Sequence, residues 1–302
     1  DSDGADGMPP HSLDWRRDGA DWPNREASRF LRAAGLRWHV QRAGAGPTVL
    51  LIHGAGGASH SWRGVLPLLA RDFDVIVPDL PGHGFTAPPR RAALTLPAMA
   101  AGLAELLRVL GASPAVIVGH SAGAAIAAEM ALEAAEPPAA VVSFNGAFTP
   151  FRGLAGKLFP PMAKLLSANP VVPRAFAWTM DRAAVNGLLE NAGGEIDREG
   201  ARLYQKLLAS PGHVSAALGM LAAWDLRPLV RRLPEMRCPL ELVFGEEDKA
   251  VPPSVACEIA AQAPSARLLG LPGLGHLAHE ERPDMAADII RRVHAEVAAD
   301  AA

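Results

Sequence analysis

Ala115-Val-Ile-Val-Gly-His-Ser-Ala-Gly-Ala-Ala125 is the stretch on which the reading of this chain turns. Its first four residues are continuously apolar, which predicts a strand buried on both faces, because a half-exposed strand would alternate apolar with polar positions. Gly119-His-Ser-Ala-Gly123 follows at once, and the small residues from Ser121 to about Ala134 predict a helix. A G-x-S-x-G pattern alone arises by chance in roughly one chain in ten of this length. Between a strand and a helix it carries a physical meaning. The sharp turn holds the serine in a strained backbone conformation and projects its hydroxyl above the sheet, and the two glycines leave room for neighbouring elements. Ser121 is therefore the candidate nucleophile, with a helix-capping serine as the plainer alternative. The Ala122 N–H beside it is a candidate oxyanion donor.

A serine hydroxyl is a poor nucleophile at neutral pH and needs a base, and the base needs a group to orient it. On a strand–turn–helix site of this kind the chain order is serine, acid, histidine. Asp248 stands in Gly245-Glu-Glu-Asp-Lys249, just past the expected strand Leu240–Phe244, and His276 stands in the glycine-rich Gly273-Leu-Gly-His276 after the last expected strand. Glu246, Glu247 and His279 are neighbouring rivals, the first two read as solvated and the third as part of a helix lead-in. Asp225 reads as a helix cap or surface charge, and His120 as packing or support behind the site. His53-Gly-Ala-Gly-Gly57, after the strand Thr48–Ile52, places the Ala55 N–H as the second oxyanion donor. The loop could instead be a simple turn; the phosphate-binding glycine patterns are absent.

Outward from these segments, short β-rich runs alternate with longer helical ones, which predicts a mostly parallel sheet flanked by helices. The expected strands are Leu36–Arg42, Thr48–Ile52, Val75–Val77, Ala115–Val118, Val141–Phe144, Leu240–Phe244 and Ala266–Leu271. Helices are expected over Trp62–Ala70, Pro97–Leu110 with Gly111 as its stop, Pro253–Ala263 and Pro283–Val297. The stretch Phe151–Pro228 breaks the rhythm, with no clear strand, Pro-punctuated helical pieces and large apolar residues: Phe151, Phe159, Met162, Phe176, Trp178, Met180, Met220 and Trp224. It reads as a helical cap inserted over the C-terminal edge of the sheet, where open α/β sheets bind ligands. Most of these side chains are expected to pack the insertion onto the core and a minority to line a pocket. The division is residues 1–30 as an N-terminal extension, 31–150 and 229–302 as the core, and 151–228 as the cap.

Composition narrows the partners. The chain has 302 residues, 49% of them hydrophobic and 20% charged, with a formal net charge of −3, so nothing in its charge favours nucleic acid or an anionic surface. Its two cysteines, Cys238 and Cys257, form neither a disulfide framework nor a metal-ligand spacing and read as reduced thiols of a cytoplasmic protein. Neither a secretory signal nor a membrane span is expected, since the first thirty residues hold no apolar run and no stretch approaches the length of a span. Asp1–Gly7, ahead of Met8, reads as an appended expression remnant or a disordered tail. No cofactor or metal is implied.

Together, His53-Gly54, Asp79-Leu-Pro-Gly-His-Gly84, the Ser121 turn, Asp248 and Gly275-His276 resemble the α/β-hydrolase superfamily over nearly the whole chain from about Gly35. The resemblance implies the α/β-hydrolase fold and cofactor-free hydrolysis. The serine argues against the epoxide hydrolase and dehalogenase branches, which carry an acidic nucleophile. Asp21-Trp-Pro-Asn-Arg-Glu-Ala-Ser28, Leu36-Arg-Trp-His-Val-Gln41, Ser59-His-Ser-Trp62 and Gly275-His-Leu-Ala-His-Glu-Glu-Arg-Pro283 resemble a narrower group, the magnesium chelatase accessory proteins of bacteriochlorophyll biosynthesis. That likeness implies a role near magnesium insertion, a tetrapyrrole-like or other small apolar substrate, and magnesium chelatase subunits as partners. The Trp22–Arg25 segment lies ahead of the fold proper and reads as a strap or partner contact. Three readings stay open at this point: a serine hydrolase of that pathway acting on an ester or related acyl bond, a non-catalytic tetrapyrrole-binding accessory protein, and a general cytosolic esterase or haloperoxidase-like enzyme.

Overall fold

Thr48–Ile52, Pro114–His120 and Ala140–Phe144 form the middle of the sheet because they are apolar on both faces. The computed structural model describes residues 12–149 and 171–300. Eight strands run in the order β1-β2-β4-β3-β5-β6-β7-β8. They are β1 Ser28–Ala33, β2 Leu36–Ala43, β3 Thr48–Ile52, β4 Asp74–Pro78, β5 Pro114–His120, β6 Ala140–Phe144, β7 Leu240–Gly245 and β8 Ala266–Leu271. The β1–β2 and β2–β4 pairs are antiparallel and all the others parallel.

The continuous apolar runs resolve into two half-cores. Leu50, Ile52, Ile117, Val141 and Leu242 face one layer, with the helices Leu96–Leu110, Ala122–Glu133 and Ser254–Ala260. Val49, Leu51, Val116, Val118, Val142 and Phe144 face the other, under the helices Val65–Leu69 and Pro283–Asp300. The period of two sends neighbours to opposite sides, so each strand feeds both layers. Truncating one of these side chains to alanine would cost about 2–5 kcal/mol.

All seven expected strands form, within two residues at either end. One further strand, β1, forms from Ser28, inside the stretch expected as an extension; its mostly half-buried, polar-rich surface gave no apolar period to read. The helix expected over Trp62–Ala70 is a 3₁₀ turn at Ser59–Trp62 followed by Val65–Leu69. The break falls at Gly64, where a side chain would meet the Pro283 ring at 2.8 Å. Gly111 ends the helix Leu96–Leu110 with φ 62°, its N–H capping the Arg108 carbonyl.

Between β6 and β7 the described residues are helical: Val171–Thr179, Arg182–Asn191, Arg198–Leu208, Pro211–Ala223 and Arg227–Arg232. Phe151, Phe159 and Met162 lie outside the described residues. Met220 is fully buried, and Trp224 donates its indole N–H to Leu94 O at 2.9 Å, whereas Trp178 is 92% exposed. The Trp22–Arg25 segment straps the sheet edge. Trp22 is buried and donates to Ser59 Oγ at 3.1 Å, and Gln41 donates to Pro23 O at 2.7 Å. Asp21, just before it, pairs with Arg202 and Lys206 of the helix Arg198–Leu208, so the strap also anchors the inserted helices.

Candidate active site

Ser121 sits at the tip of β5, ahead of the first residue of the helix Ala122–Glu133, with φ 51° and ψ −118°. A positive φ on a residue other than glycine stores on the order of 1–3 kcal/mol of strain and persists only where the surroundings impose it. Here the Ser121 N–H donates to Phe144 O and its carbonyl accepts from Ala147, each at 3.0 Å. The flanking glycines are required: a Cβ on Gly119 would lie 2.2 Å from Gly123 O, and one on Gly123 would lie 2.4 Å from Ile52 O. Ala122 opens the helix, so its N–H precedes the first intrahelical bond.

Asp248 and His276 come together from the turns after β7 and β8. His276 Nδ1 lies 2.8 Å from Asp248 Oδ2, with side-chain exposures of 12% and 0%. The carboxylate can only accept, so Nδ1 carries the proton. Three more donors fix that carboxylate: the Ala250 and Val251 N–H groups on Oδ1 and Asn145 Nδ2 on Oδ2, each at 2.8 Å. Asn145 follows β6 with φ 50° and also donates to Gly275 O at 3.1 Å, so it holds the acid and the histidine loop in one grip. Sequence reasoning missed it, and its only local mark is its place directly after a strand end. His120 donates from Nε2 to His276 O at 2.9 Å, and burial and the nearby His276 push its imidazole well below the usual range.

The rivals have other surroundings. Glu246 and Glu247 are exposed, Asp225 pairs with Arg227, and His279 is buried against Trp62 and His120 at ring separations of 4.3 Å. Among the described residues no group of three or more His, Cys, Asp or Glu could hold a metal ion, and no helix is long and apolar enough to cross a membrane.

The Gly54–Gly57 loop lies directly against the elbow, since a Cβ on Gly54 would come within 3.0 Å of Ser121 Cβ. His53 Nδ1 donates to Gly54 O at 2.8 Å, and its Nε2 accepts the Leu80 N–H at 2.9 Å. Gly57 closes the turn by donating to Gly54 O at 3.1 Å. Beneath this loop a second His–Asp pair is fully buried: His39 Nδ1 lies 2.7 Å from Asp79 Oδ2, and His39 Nε2 lies 3.0 Å from Ser28 Oγ. Asp79 also accepts from the Ser59 and Phe85 N–H groups at 2.7 and 2.9 Å. Burial opposes its charge, but His39 and these donors hold its carboxyl well below the usual range.

The inserted helices reach the same loops. Ala192 O accepts from the Lys249 N–H at 3.3 Å and from the His276 N–H at 3.4 Å. Tyr204 donates to the buried Glu280 at 2.6 Å, and Glu280 also pairs with Arg63. Burial raises the Glu280 carboxyl, with Arg63 and Tyr204 opposing that rise.

Comparison with known proteins agrees with this architecture. Residues 49–289 match the alpha/beta hydrolase family. The chain is 40% identical over 268 residues to the magnesium-chelatase 30 kDa subunit of Rhodobacter capsulatus, covering 88% of this chain and 93% of that one. It is 29% identical over 269 residues to the 2-hydroxy-6-oxo-6-phenylhexa-2,4-dienoate hydrolase of Burkholderia cepacia, covering 82% and 88%. Among solved structures, a thermophilic esterase from Thermogutta terrifontis superposes with a TM-score of 0.69 at 25% identity, covering 89% of this chain and 98% of that one. An eight-stranded, mostly parallel sheet, a matched family over most of its length and a relative at 40% identity lead to one assignment: this chain is a member of the alpha/beta hydrolase family, with the magnesium-chelatase 30 kDa subunit among its relatives.

Proposed function

We propose that the chain is a serine hydrolase cleaving an ester or related acyl bond, in association with the magnesium chelatase step of bacteriochlorophyll biosynthesis. The observation that carries the chemistry is the His276–Asp248 bond of 2.8 Å, with the His276 carbonyl held at 2.9 Å by His120, the residue before a serine at φ 51°. With Nδ1 protonated toward Asp248, the second ring nitrogen of His276 takes the Ser121 proton as Oγ attacks the acyl carbon. Asp248 stays ionised, keeping the tautomer and offsetting the charge of the imidazolium. The Ala55 and Ala122 N–H groups receive the developing oxyanion, where each preorganised donor contributes about 10²–10³ in rate. His276 then returns the proton to the leaving group, and water repeats the sequence to free the acid.

The inserted helices serve as a cap over this site, and their apolar surface suits a bulky apolar substrate, a tetrapyrrole ester first among those to screen. The association with magnesium chelatase rests on the 40% identity to a protein named as a subunit of that enzyme. The same identity favours a second reading, a non-catalytic accessory protein that holds a tetrapyrrole for the chelatase, because metal insertion requires no acyl transfer.

A fluorophosphonate probe with mass-spectrometric location of the adduct separates the two. An adduct on Ser121 that disappears in His276→Ala supports the hydrolase. Folded protein that takes up no probe, yet binds porphyrin, supports the accessory role.

A further inference from the structure

His213 is a buried imidazole of the inserted helix Pro211–Ala223, far in sequence from the Ser121 turn and from the loops it touches. Both of its nitrogens are committed. Nε2 lies 2.9 Å from Gly56 O, and Nδ1 accepts the Gly84 N–H at 3.0 Å. A carbonyl can only accept and an amide N–H can only donate, so the tautomer is fixed with the proton on Nε2. Burial pushes its pKa down to about 4, so the neutral form that this bridge requires is the one present at neutral pH.

The bridge bears on Ala55 through two peptide planes. In a trans peptide the C=O and N–H point in opposite directions. His213 draws the Gly56 carbonyl toward the inserted helix, which turns the Gly57 N–H the other way, onto Gly54 O at 3.1 Å. Gly54 O is also held by His53 Nδ1 at 2.8 Å. With that carbonyl pinned from two sides, the Ala55 N–H of the same peptide is aimed away from it. His53 and His213 thus bridge the same two loops in the same way, each donating to a carbonyl of Gly54–Gly57 and accepting an N–H from Leu80–Gly84. One bridge belongs to the sheet and the other to the insertion. The helix is seated closely there: a Cβ on Gly82 would meet Ala216 Cβ at 2.5 Å.

We propose that His213 is a positioning residue that makes the Ala55 oxyanion donor depend on the inserted helix Pro211–Ala223. The donor is aligned when that helix is docked and misaligned when a partner or substrate lifts it. This rests on the reading of Ser121 as a nucleophile, and it adds to that reading a route by which the insertion regulates turnover.

Three variants of the full chain test it: His213→Leu, His213→Asn and His213→Gln. Glutamine can restore the donor to Gly56 O, asparagine can restore only the acceptor for the Gly84 N–H, and leucine restores neither. Ser121 labelling rate by the fluorophosphonate, kcat and KM on a short acyl ester, and thermal midpoint are measured for each. The expected result is a fall in kcat and labelling rate of about tenfold or more for leucine and asparagine, with KM changed less than about threefold. Glutamine is expected to recover most of the rate, while asparagine and glutamine share similar midpoints. If asparagine and glutamine slow equally, or if no variant slows, the proposal is overturned while the hydrolase reading stands. Wild-type protein that does not label at Ser121 overturns both. Should the leucine variant fail to fold, the contrast between asparagine and glutamine decides alone.

Discussion

His39 and His276 each turn Nδ1 to a buried aspartate, at 2.7 Å from Asp79 and 2.8 Å from Asp248. Each aspartate also takes backbone N–H donors. His39 even has a serine on its second nitrogen, Ser28 Oγ at 3.0 Å, so by distances alone it completes a Ser–His–Asp array. The two arrays differ in the serine and its surroundings. Ser28 begins β1 at φ −71°, an ordinary extended conformation, and shares its hydroxyl with Gln41. His39 is enclosed by Trp15, Phe30 and Phe85. Ser121 sits on a strained turn at a helix N-terminus beside a glycine loop with amides to offer. The same hydrogen bonds thus tie the N-terminal strap and the Asp79 loop into the core in one place and, in the mechanism proposed above, arm a hydroxyl in the other. What separates them is backbone strain, neighbouring donors and access.

The largest expected effect is on the serines. Ser121→Ala should abolish ester hydrolysis and probe labelling, a loss of about 10⁴-fold or more, whereas Ser28→Ala should leave kcat within about twofold. An adduct on Ser28 would break the distinction. Next come the aspartates. Asp248→Asn should lower kcat by about 10⁴ through the wrong tautomer. Asp79→Ala, by leaving His39 without its partner in a buried setting, should cost about 3–5 kcal/mol of stability in urea unfolding, with kcat of the folded fraction changed far less. Equal losses of kcat in both variants would make the two pairs functionally alike.

A smaller effect concerns pH. Burial lowers the pKa of His53, His60, His83, His120, His213 and His279. A histidine held neutral in the fold but free to protonate when unfolded contributes stability above about pH 6.5, which is lost as the pH falls through that value. For His213 the loss continues down to about 4. Glu129, Glu280 and Glu281, raised by burial, act in the opposite sense but are outnumbered. The thermal midpoint should therefore fall between pH 7 and pH 5, and a midpoint that rises would contradict these buried neutral imidazoles. The smallest effect is expected at Trp178, whose exposed ring on the insertion makes Trp178→Ser worth less than about 0.5 kcal/mol.

The strands and the Ser121 turn were legible because their signals are local. Thr48–Ile52 and Ala115–Val118 are apolar at every position, and Gly119 and Gly123 bracket the serine within one turn of chain. Asp248 and His276 were legible as candidates through their places after strands, and the rivals Glu246 and Glu247 fall on the exposed side of the same turn. Strand β1 was not legible, because an edge strand with arginines on it lacks an apolar period. His213 carries no local mark, and Asn145 none beyond its place after a strand end, since each acts on segments more than 100 residues away.

By itself, then, the order of apolar runs, glycines and small residues determined a mostly parallel sheet, a serine elbow after β5, and polar candidates after β7 and β8. These depend on conformational preference and burial along one stretch of chain. Which carboxylate meets which imidazole was decided only by tertiary structure. Pairing β6 with β7 and β7 with β8 brings Asn145, Asp248 and His276 to one end of the sheet. Antiparallel pairing of β2 with β4 brings His39 to Asp79. Docking of an inserted helix brings His213 to Gly56 and Gly84. A hydrogen bond requires atoms within about 3 Å, and for residues so far apart in the chain only the strand order and the packing of the layers set that distance.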